Sequence, residues 1–550
     1  PLDFSTGPAV NDSGPNIGKV LNVGYLVVLT DGLRAIDLSP MGADALYASF
    51  KSAPADCSSI TDSTLNRLCQ LTKAHLGIAR AATGTSPESV ILTWSFSTQS
   101  IDDVLDVISK IATPQPTLIV PTGLTTAAIG ASGKADVYVG STRLPYYLTP
   151  PASPTDSAAV LTKFWTAAGP SQVPGIDATS RNLTMFNPVP AKVADVTVPI
   201  VVSIPNATSA CAAKPTAGWP VAIVQHGITG NRGQALAMAD AYADACFVVV
   251  AMDLPLHGIV QGDPRFGALY CSPALPQCIG ATERTFDVDL VNNTTSVAPG
   301  DGRVDGSGTH FINLTSPATG RDNLRQGEAD AIQLTKSIPG LAIAPGTPAP
   351  AGPIGVDPTR ISYTGLSLGG IVGGSHIHFV NDLRTASLVV PGGVITRLLL
   401  DSQTFGPRIK AGVTGSLAEN SFNYNLFFRD FQAVIDSGDP INHIKDAVAM
   451  HPVHLIKVLN DTVVPNNSTD RLIAQGPLRK VKTLGPNAVG PGNGGYTFFS
   501  KGSHGSLFDP TASLAATVEM QRQTVLFGLS AVQPGGPFVV LTDPTVLDLN

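Results

Sequence analysis

Residues Ile361-Ser362-Tyr363-Thr364-Gly365-Leu366-Ser367-Leu368-Gly369-Gly370 read ISYTGLSLGG, and the fold of the chain turns on how this stretch is taken. Its pentapeptide Gly365-Leu366-Ser367-Leu368-Gly369 fits G-x-S-x-G, the pattern that bends a strand sharply into a helix around a serine. Glycine is needed at both flanks because a side chain there would collide as strand and helix close on each other. With 54 glycines in 550 residues, the pattern alone does not separate a nucleophile from a small residue in a glycine-rich turn. The surroundings do. Residues 361–365 form a short run of strand type and a helix is expected from Leu368, so Ser367 falls where strand meets helix.

The same rhythm extends outward from about Val196. VTVPIVVSIP and GWPVAIVQHG read as strands, GQALAMADAYADA as a helix and FVVVAMDLP as a fully buried strand. Residues 321–338 read as a polar amphipathic helix, and after ISYTG come TASLVVPGG, PVHLIKVLND and GYTFFSKG. Near-continuous apolar strands alternating with helices predict an α/β fold, a mostly parallel sheet covered on both faces. The catalytic domain is expected over 196–550, with insertions at about 255–319 and 394–450. The first is rich in Asn, Asp and Gly, and the second carries the aromatic segment SFNYNLFFRDFQ. Loops past the carboxyl ends of such strands border the active crevice, so both are expected as cap or substrate wall. Upstream, residues 1–150 mix strand-like GYLVVLTDG and SVILTWSFSTQS with helical periodicity at 63–81 and 101–111, which suggests a smaller accessory domain. The stretch 151–195, dominated by Pro, Ser, Thr and Ala, reads as a linker or packing segment.

Hydrophobic residues make up 43% of the chain, enough for more than one core at this length, while charged residues are only 14%. A net charge of −7 without a basic cluster argues against nucleic acid and anionic membrane surfaces as partners. No apolar run is long enough to span a bilayer, and no basic-then-apolar leader is present, as expected of a mature exported chain. The cysteines are Cys57, Cys69, Cys211, Cys246, Cys271 and Cys278. None forms C-x-x-C or lies near paired histidines, which argues against a zinc site among them. Cys57 with Cys69, and Cys271 with Cys278, sit close together in loop-like surroundings and are expected as disulfides made in an oxidising compartment. Cys211 and Cys246 form a third candidate pair, although Cys246 precedes an apolar strand and fits a core equally well.

A serine nucleophile needs an adjacent base, itself oriented by a carboxylate. After a G-x-S-x-G elbow the partners follow in the order Ser, Asp/Glu, His. His504, in SKGSHGSLFDP, has Gly and Ser neighbours that offer little to pack on, and it is the expected base. Asp461, at the end of PVHLIKVLND, is the expected acid. Asp401 and Asp470 compete for that role, and an Asx turn would also explain an aspartate there. The oxyanion of acyl transfer needs two backbone donors, one being the amide of Leu368. The other is expected from Val224-Gln225-His226-Gly227-Ile228-Thr229-Gly230, where Gly227 admits close approach, Ile228 is first choice and Thr229 second. His226 precedes the serine and is expected to brace this loop. Phe427 and Phe428 are expected to wall an acyl groove, with cap core as the alternative. No metal site and no cofactor is expected. His376 and His378 lie two apart on a helix and face different ways, and the loop at 301–305 lacks the calcium-loop spacing. Arg321-Asp322-Asn323 reads as a helix cap, or else as a wall of the site.

Taken together, VQHGITGNRGQALAMADA, DLPLHG, DGRVDGSGTHFINLTSPATGRDNLRQ, GLSLGGIVG, LVVPGGVITRLLLDSQTFGPRI and GSHGSLFDP resemble the secreted bacterial lipases of the "virulence factor lipase" type. The long run from DGRVD to RDNLRQ is the specific part, and GYLVVLTDG, SFSTQS and LPYYL extend the likeness into the N-terminal third. The resemblance implies an α/β-hydrolase fold with its own N-terminal domain. It also implies a cofactor-free Ser-Asp-His hydrolase acting outside the cytoplasm on lipids, lysophospholipids or other small carboxylic esters. An acyltransferase or a peptidase is the alternative on the same scaffold. A non-catalytic surface-binding protein with a relict hydrolase domain is a further one, against which Ser367, Asp461 and His504 stand intact and in order.

Overall fold

The computed structural model describes residues 24–97, 99, 101–154, 157–171, 179–211, 213–295 and 297–550. The chain forms two compact units that divide between residues 100 and 101.

In the first unit, strands β1 (Gly24–Thr30) and β2 (Val90–Ser97) pair antiparallel beside helices α1 (Ala45–Ser52) and α2 (Ser63–Thr83). Each helix starts on an aspartate, Asp44 or Asp62, whose carboxylate accepts two N–H groups that the first turn leaves unpaired. Tyr47, Leu76 and Val90 make a small core, and the disulfide Cys57–Cys69 closes the loop between the helices.

The boundary lies at residue 100, where 150 was expected. Strands β3 (Thr117–Thr125) and β4 (Ala135–Tyr146) belong to the second unit, because β4 pairs with β5 (Ala194–Pro205) along its whole length, from Ala135 opposite Pro205 to Tyr146 opposite Ala194. The intervening stretch 151–195, described in part, packs on the same unit, and the buried Trp165 donates its backbone N–H to Asp322 at 2.6 Å.

Strands β6 (Trp219–Gln225), β7 (Val248–Met252), β8 (Val356–Leu366), β9 (Thr385–Val389), β10 (Val453–Val458) and β11 (Gly495–Phe499) complete the large sheet. Its order is β11-β10-β9-β8-β6-β7-β5-β4-β3, with two-residue strands at either edge. From β11 to β7 every pairing is parallel, while β5 runs antiparallel to β7, β4 to β5 and β3 to β4. This exchange of β6 and β7 beside an antiparallel β5 is the α/β-hydrolase arrangement. Every residue of β6, β7 and β9 is buried, which accounts for their unbroken apolar sequences. Alternate side chains serve opposite faces. Val221, Ile223 and Tyr363 pack with Ile332 of helix α3 (Pro317–Ser337), while Ala222, Val224 and Val249 pack with Met520 and Phe527 of the helix Leu514–Leu529.

Helix α3 departs from the amphipathic reading. Its Asp322, Asn323, Arg325, Gln326, Glu328 and Asp330 are all buried. The chain before β5 covers the face meant for water, and polar side chains of α3 bond its backbone: Gln326 accepts from the Tyr147 N–H at 2.9 Å and donates to the Pro145 carbonyl at 3.1 Å. The expected helix in GQALAMADAYADA is a 3-10 segment (Arg232–Met238) followed by a short α-helix (Ala239–Asp244). Between β7 and α3, the first insertion runs through turns and short 3-10 segments and is closed by the disulfide Cys271–Cys278. Cys211–Cys246 is a third disulfide. The second insertion is helical, with Ile395–Asp401, Gly406–Thr414, Phe422–Ile435 and Ile444–Met450.

Candidate active site

Ser367 sits between β8 and helix α4 (Leu368–His376) with φ 54° and ψ −115°, and only 4% of it is exposed. A serine at such a φ carries backbone strain, and its surroundings hold it there. Its N–H donates to the Val389 carbonyl at 2.8 Å, its carbonyl accepts from the Ile371 N–H at 2.8 Å, and the Tyr363 hydroxyl donates to the Gly369 carbonyl at 2.6 Å. Three glycines are dictated by proximity. A Cβ on Gly365 would lie 2.2 Å from the Gly369 oxygen, one on Gly369 2.5 Å from the Gln225 oxygen, and one on Gly227 2.9 Å from the Ser367 Cβ. Strand end, helix start and the loop after β6 therefore meet on one side chain.

Asp461 follows β10 and uses both carboxylate oxygens. Oδ1 accepts from the N–H groups of Val463 (2.8 Å) and Val464 (3.0 Å), and Oδ2 accepts from His504 Nδ1 at 2.6 Å. The Asx turn and the contact with histidine are thus two uses of one group. Because a carboxylate only accepts, the His504 proton resides on Nδ1 and Nε2 keeps its lone pair. Asp401 instead accepts from Asn467 at 3.0 Å, and Asp470 pairs with Lys457 at 2.6 Å. Strands β8, β10 and β11 are parallel, so Ser367, Asp461 and His504 all lie past carboxyl ends on one edge of the sheet. Ser367 and His504 share no hydrogen bond here; such contacts commonly tighten only when substrate binds.

Of the two candidate donors in the loop after β6, Thr229 gives its N–H to the Ser307 carbonyl at 3.2 Å, which removes the second choice. Ile228 and Leu368 line the same cavity as Ser367. His226 Nδ1 donates to the Gly227 carbonyl at 2.7 Å while Nε2 accepts from the Leu254 N–H at 3.1 Å. One proton satisfies both bonds. Burial pushes this imidazole below its usual range, against the pull of Asp253 at 3.7 Å, so it stays neutral.

The cavity beside Ser367 is almost wholly apolar, with Phe311, Leu324, Ile371, Leu398, Phe431 and Ile435 among its walls. Phe427 and Phe428 are not among them. The buried stripe of the helix Phe422–Ile435 is Tyr424, Phe428, Phe431 and Ile435, and only its last two members reach the cavity. Phe428 packs instead against Tyr424 and Phe427, with ring centroids 4.9 and 5.1 Å away. Residues 321–323 are not a cap either. Helix α3 begins at Pro317, and Asp322 binds Arg321 and Arg325 besides the Trp165 amide. In the loop at 301–305 the acids are used internally, Asp305 by His310 (2.8 Å) and by the Leu290 N–H (2.7 Å), and Asp301 by the Asn293 N–H (3.0 Å).

One group escaped the sequence reading. Arg232 is buried, bonded to Asp253, to Glu283 at 2.7 and 2.6 Å and to the Leu269 carbonyl at 2.8 Å. Burial works against its charge, but the two carboxylates outweigh it and hold the guanidinium charged. This knot ties the loop after β6, the end of β7 and the first insertion together. The signal available was an aspartate ending the apolar strand FVVVAMD.

No protein-family model matches the chain, and no curated protein does. Among solved structures, an acetyl xylan esterase from Paenibacillus sp. R4 is 12% identical, with a TM-score of 0.40 over 78% of this chain and 95% of its own. Acetyl xylan esterase 1 from Thermoanaerobacterium sp. JW/SL YS485 is 14% identical, with a TM-score of 0.40 over 79% and 94%. A puromycin-hydrolyzing peptidase from Mycobacterium tuberculosis is 14% identical, with a TM-score of 0.33 over 73% and 46%. The assignment of the fold rests on the strand order above.

Proposed function

We propose that the protein is an exported serine carboxylic-ester hydrolase, a lipase or esterase, working through an acyl-enzyme on Ser367. The observation that carries this reading is the strained, buried Ser367 opening on an apolar cavity, at the sheet edge where His504 is bonded to Asp461. Ser367 Oγ attacks the ester carbonyl carbon while its proton passes to His504 Nε2, and the amides of Ile228 and Leu368 hold the oxyanion. The intermediate collapses, the ester C–O bond breaks, and the imidazolium returns its proton to the leaving alcohol. Water then repeats the sequence on the acyl-enzyme, releasing the acid and restoring the serine. Asp461 keeps the proton on Nδ1 and stabilises the imidazolium.

The acyl chain would occupy the cavity, where each buried methylene contributes about 0.8 kcal/mol. A peptidase would need polar partners for the substrate backbone, and besides Ser367 only Asn313 brings a polar side chain to these walls. The resemblance of the motifs to secreted bacterial lipases, and three disulfides suited to an oxidising compartment, support the same reading. Fluorophosphonate labelling with peptide mapping, followed by hydrolysis of p-nitrophenyl esters from acetate to palmitate, tests it. Ser367 should carry the label and esters should turn over. Labelling elsewhere in folded protein, or cleavage of peptides in preference to esters, would overturn it.

A further inference from the structure

At the end of α4 remote from Ser367, three side chains converge that the proposed reaction does not use. Asp102 precedes the helix Asp103–Ile111, His378 lies in the 3-10 turn after α4, and His443 starts the helix Ile444–Met450. One donor atom from each lies within 4.8 Å of the others. Asp102 Oδ1 is 3.1 Å from His443 Nδ1, and Asp102 Oδ2 is 3.8 Å from His378 Nε2. The two imidazole rings stack with centroids 5.9 Å apart.

Asp102 Oδ1 and His443 Nδ1 are both buried and stand within ion-pair distance, but no well-aligned hydrogen bond joins them. The His443 side chain is wholly buried, and its Nε2 faces the Ser437 carbonyl at 3.3 Å. A carbonyl only accepts, so Nε2 carries a proton, and Nδ1 is the nitrogen turned toward the carboxylate. Asp102 favours a positive charge at this nitrogen, and a metal ion would supply it in place of a proton.

The spacing suits a small divalent ion. Bonds of about 2.0–2.2 Å at tetrahedral angles place donor atoms about 3.3–3.5 Å apart; the separations of 3.1 and 3.8 Å fall on either side of that, each to a different oxygen of the Asp102 carboxylate. The Ser437 carbonyl holds the His443 N–H opposite the free nitrogen, the outer contact that fixes the tautomer of metal-binding histidines. Two imidazoles and one carboxylate, with no thiolate, match a borderline first-row cation, zinc foremost. The Asp102 side chain is 35% exposed, which leaves an entry path from solvent.

We propose that Asp102, His378 and His443 bind one zinc ion, which clamps the start of the helix Asp103–Ile111 and the helical insertion to the far end of α4. The ion has no part in the chemistry at Ser367. The test uses the full chain, free of any histidine tag, stripped with chelator and titrated with zinc chloride alone. Calorimetry and elemental analysis should find one zinc per chain, and the melting temperature should rise. His378→Gln, at a partly exposed position, should bind at least about tenfold more weakly while its ester turnover stays that of the stripped wild type. Asp102→Asn is the second variant, with the same loss expected. A stripped wild type that takes up no zinc, or affinity unchanged in whichever variant folds, would overturn the proposal.

Discussion

The two insertions meet beside Ser367, Phe311 arriving from the first and Phe431 and Ile435 from the second, yet they hold their shapes by opposite means. The first has no α-helix among its described residues. It is tied down by Glu283 on Arg232, by Asp305 between His310 and two backbone amides, and by a disulfide. The second satisfies its backbone within helices and presents an apolar stripe, with Asp439 accepting the amides of Val394 and Ile395 at its entrance. A segment without secondary structure must fix its backbone by directional bonds, each costly to lose. A helical cap needs few such bonds, and its side chains are open to exchange. The first insertion therefore suits the task of holding the loop after β6, and the second that of shaping the cavity in which the proposed acyl chain would lie.

The largest expected effect removes what both walls serve. Ser367→Ala should lower ester turnover at least about 10³-fold with circular dichroism unchanged. A fall of less than tenfold in initial rates would mean that the walls enclose something other than a reaction centre. Next comes Arg232→Met, which strikes the polar side alone by leaving Asp253 and Glu283 buried and unpaired. It should cost about 3–5 kcal/mol in denaturant unfolding. A cost below about 1 kcal/mol would remove the contrast between the insertions.

Acid should separate them as well. Burial pushes His257, in the first insertion, down to about 3, with His226 adding to the effect. The folded protein keeps this imidazole neutral while the unfolded chain protonates it near about 6.5. Between those values the unfolded state binds the extra proton, so this contribution to stability is complete above about 6.5 and is lost as pH falls toward 3. Hydrogen exchange at about pH 5 should show the first insertion opening before the second, and the reverse order would break the comparison. Replacing Cys271 and Cys278 by serine should cost about 2 kcal/mol on the entropy of a short closed loop, read as a lower melting temperature. The smallest effect is expected from Phe431→Leu. Opening that wall should raise kcat/KM for long-chain esters relative to acetate by about fivefold, equivalent to about 1 kcal/mol. An unchanged ratio with a lower melting temperature would make Phe431 cap core only.

The buried strands of the sheet and the elbow at Ser367 were legible because strands covered on both faces must be apolar throughout, and because a serine between close-packed elements needs glycine around it. Asp461 and His504 could be picked out by chain order and by their place just past strands. The boundary at 100 was not legible, since β3 and β4 look like any accessory hairpin until β4 finds β5. Helix α3 reads as solvated because the backbone that binds its polar side chains lies far away in sequence. Which half of the stripe Tyr424–Phe428–Phe431–Ile435 lines the cavity depends on how the helix crosses it, and periodicity carries no such information. Asp102, His378 and His443 are too scattered for any spacing rule to collect.

The glycines of α4 have a bearing on how variants of this protein should be made. Added Cβ atoms would lie 3.1 Å from the Pro391 Cβ at Gly370, 2.3 Å from the Tyr363 ring at Gly373 and 2.8 Å from the Pro440 Cβ at Gly374. A library randomised along this helix would therefore yield mostly unfolded clones, however near Ser367 its positions lie. Mutational effort aimed at new substrates belongs on Leu398, Phe405, Phe431 and Ile435, which face the cavity from a part of the chain that can repack.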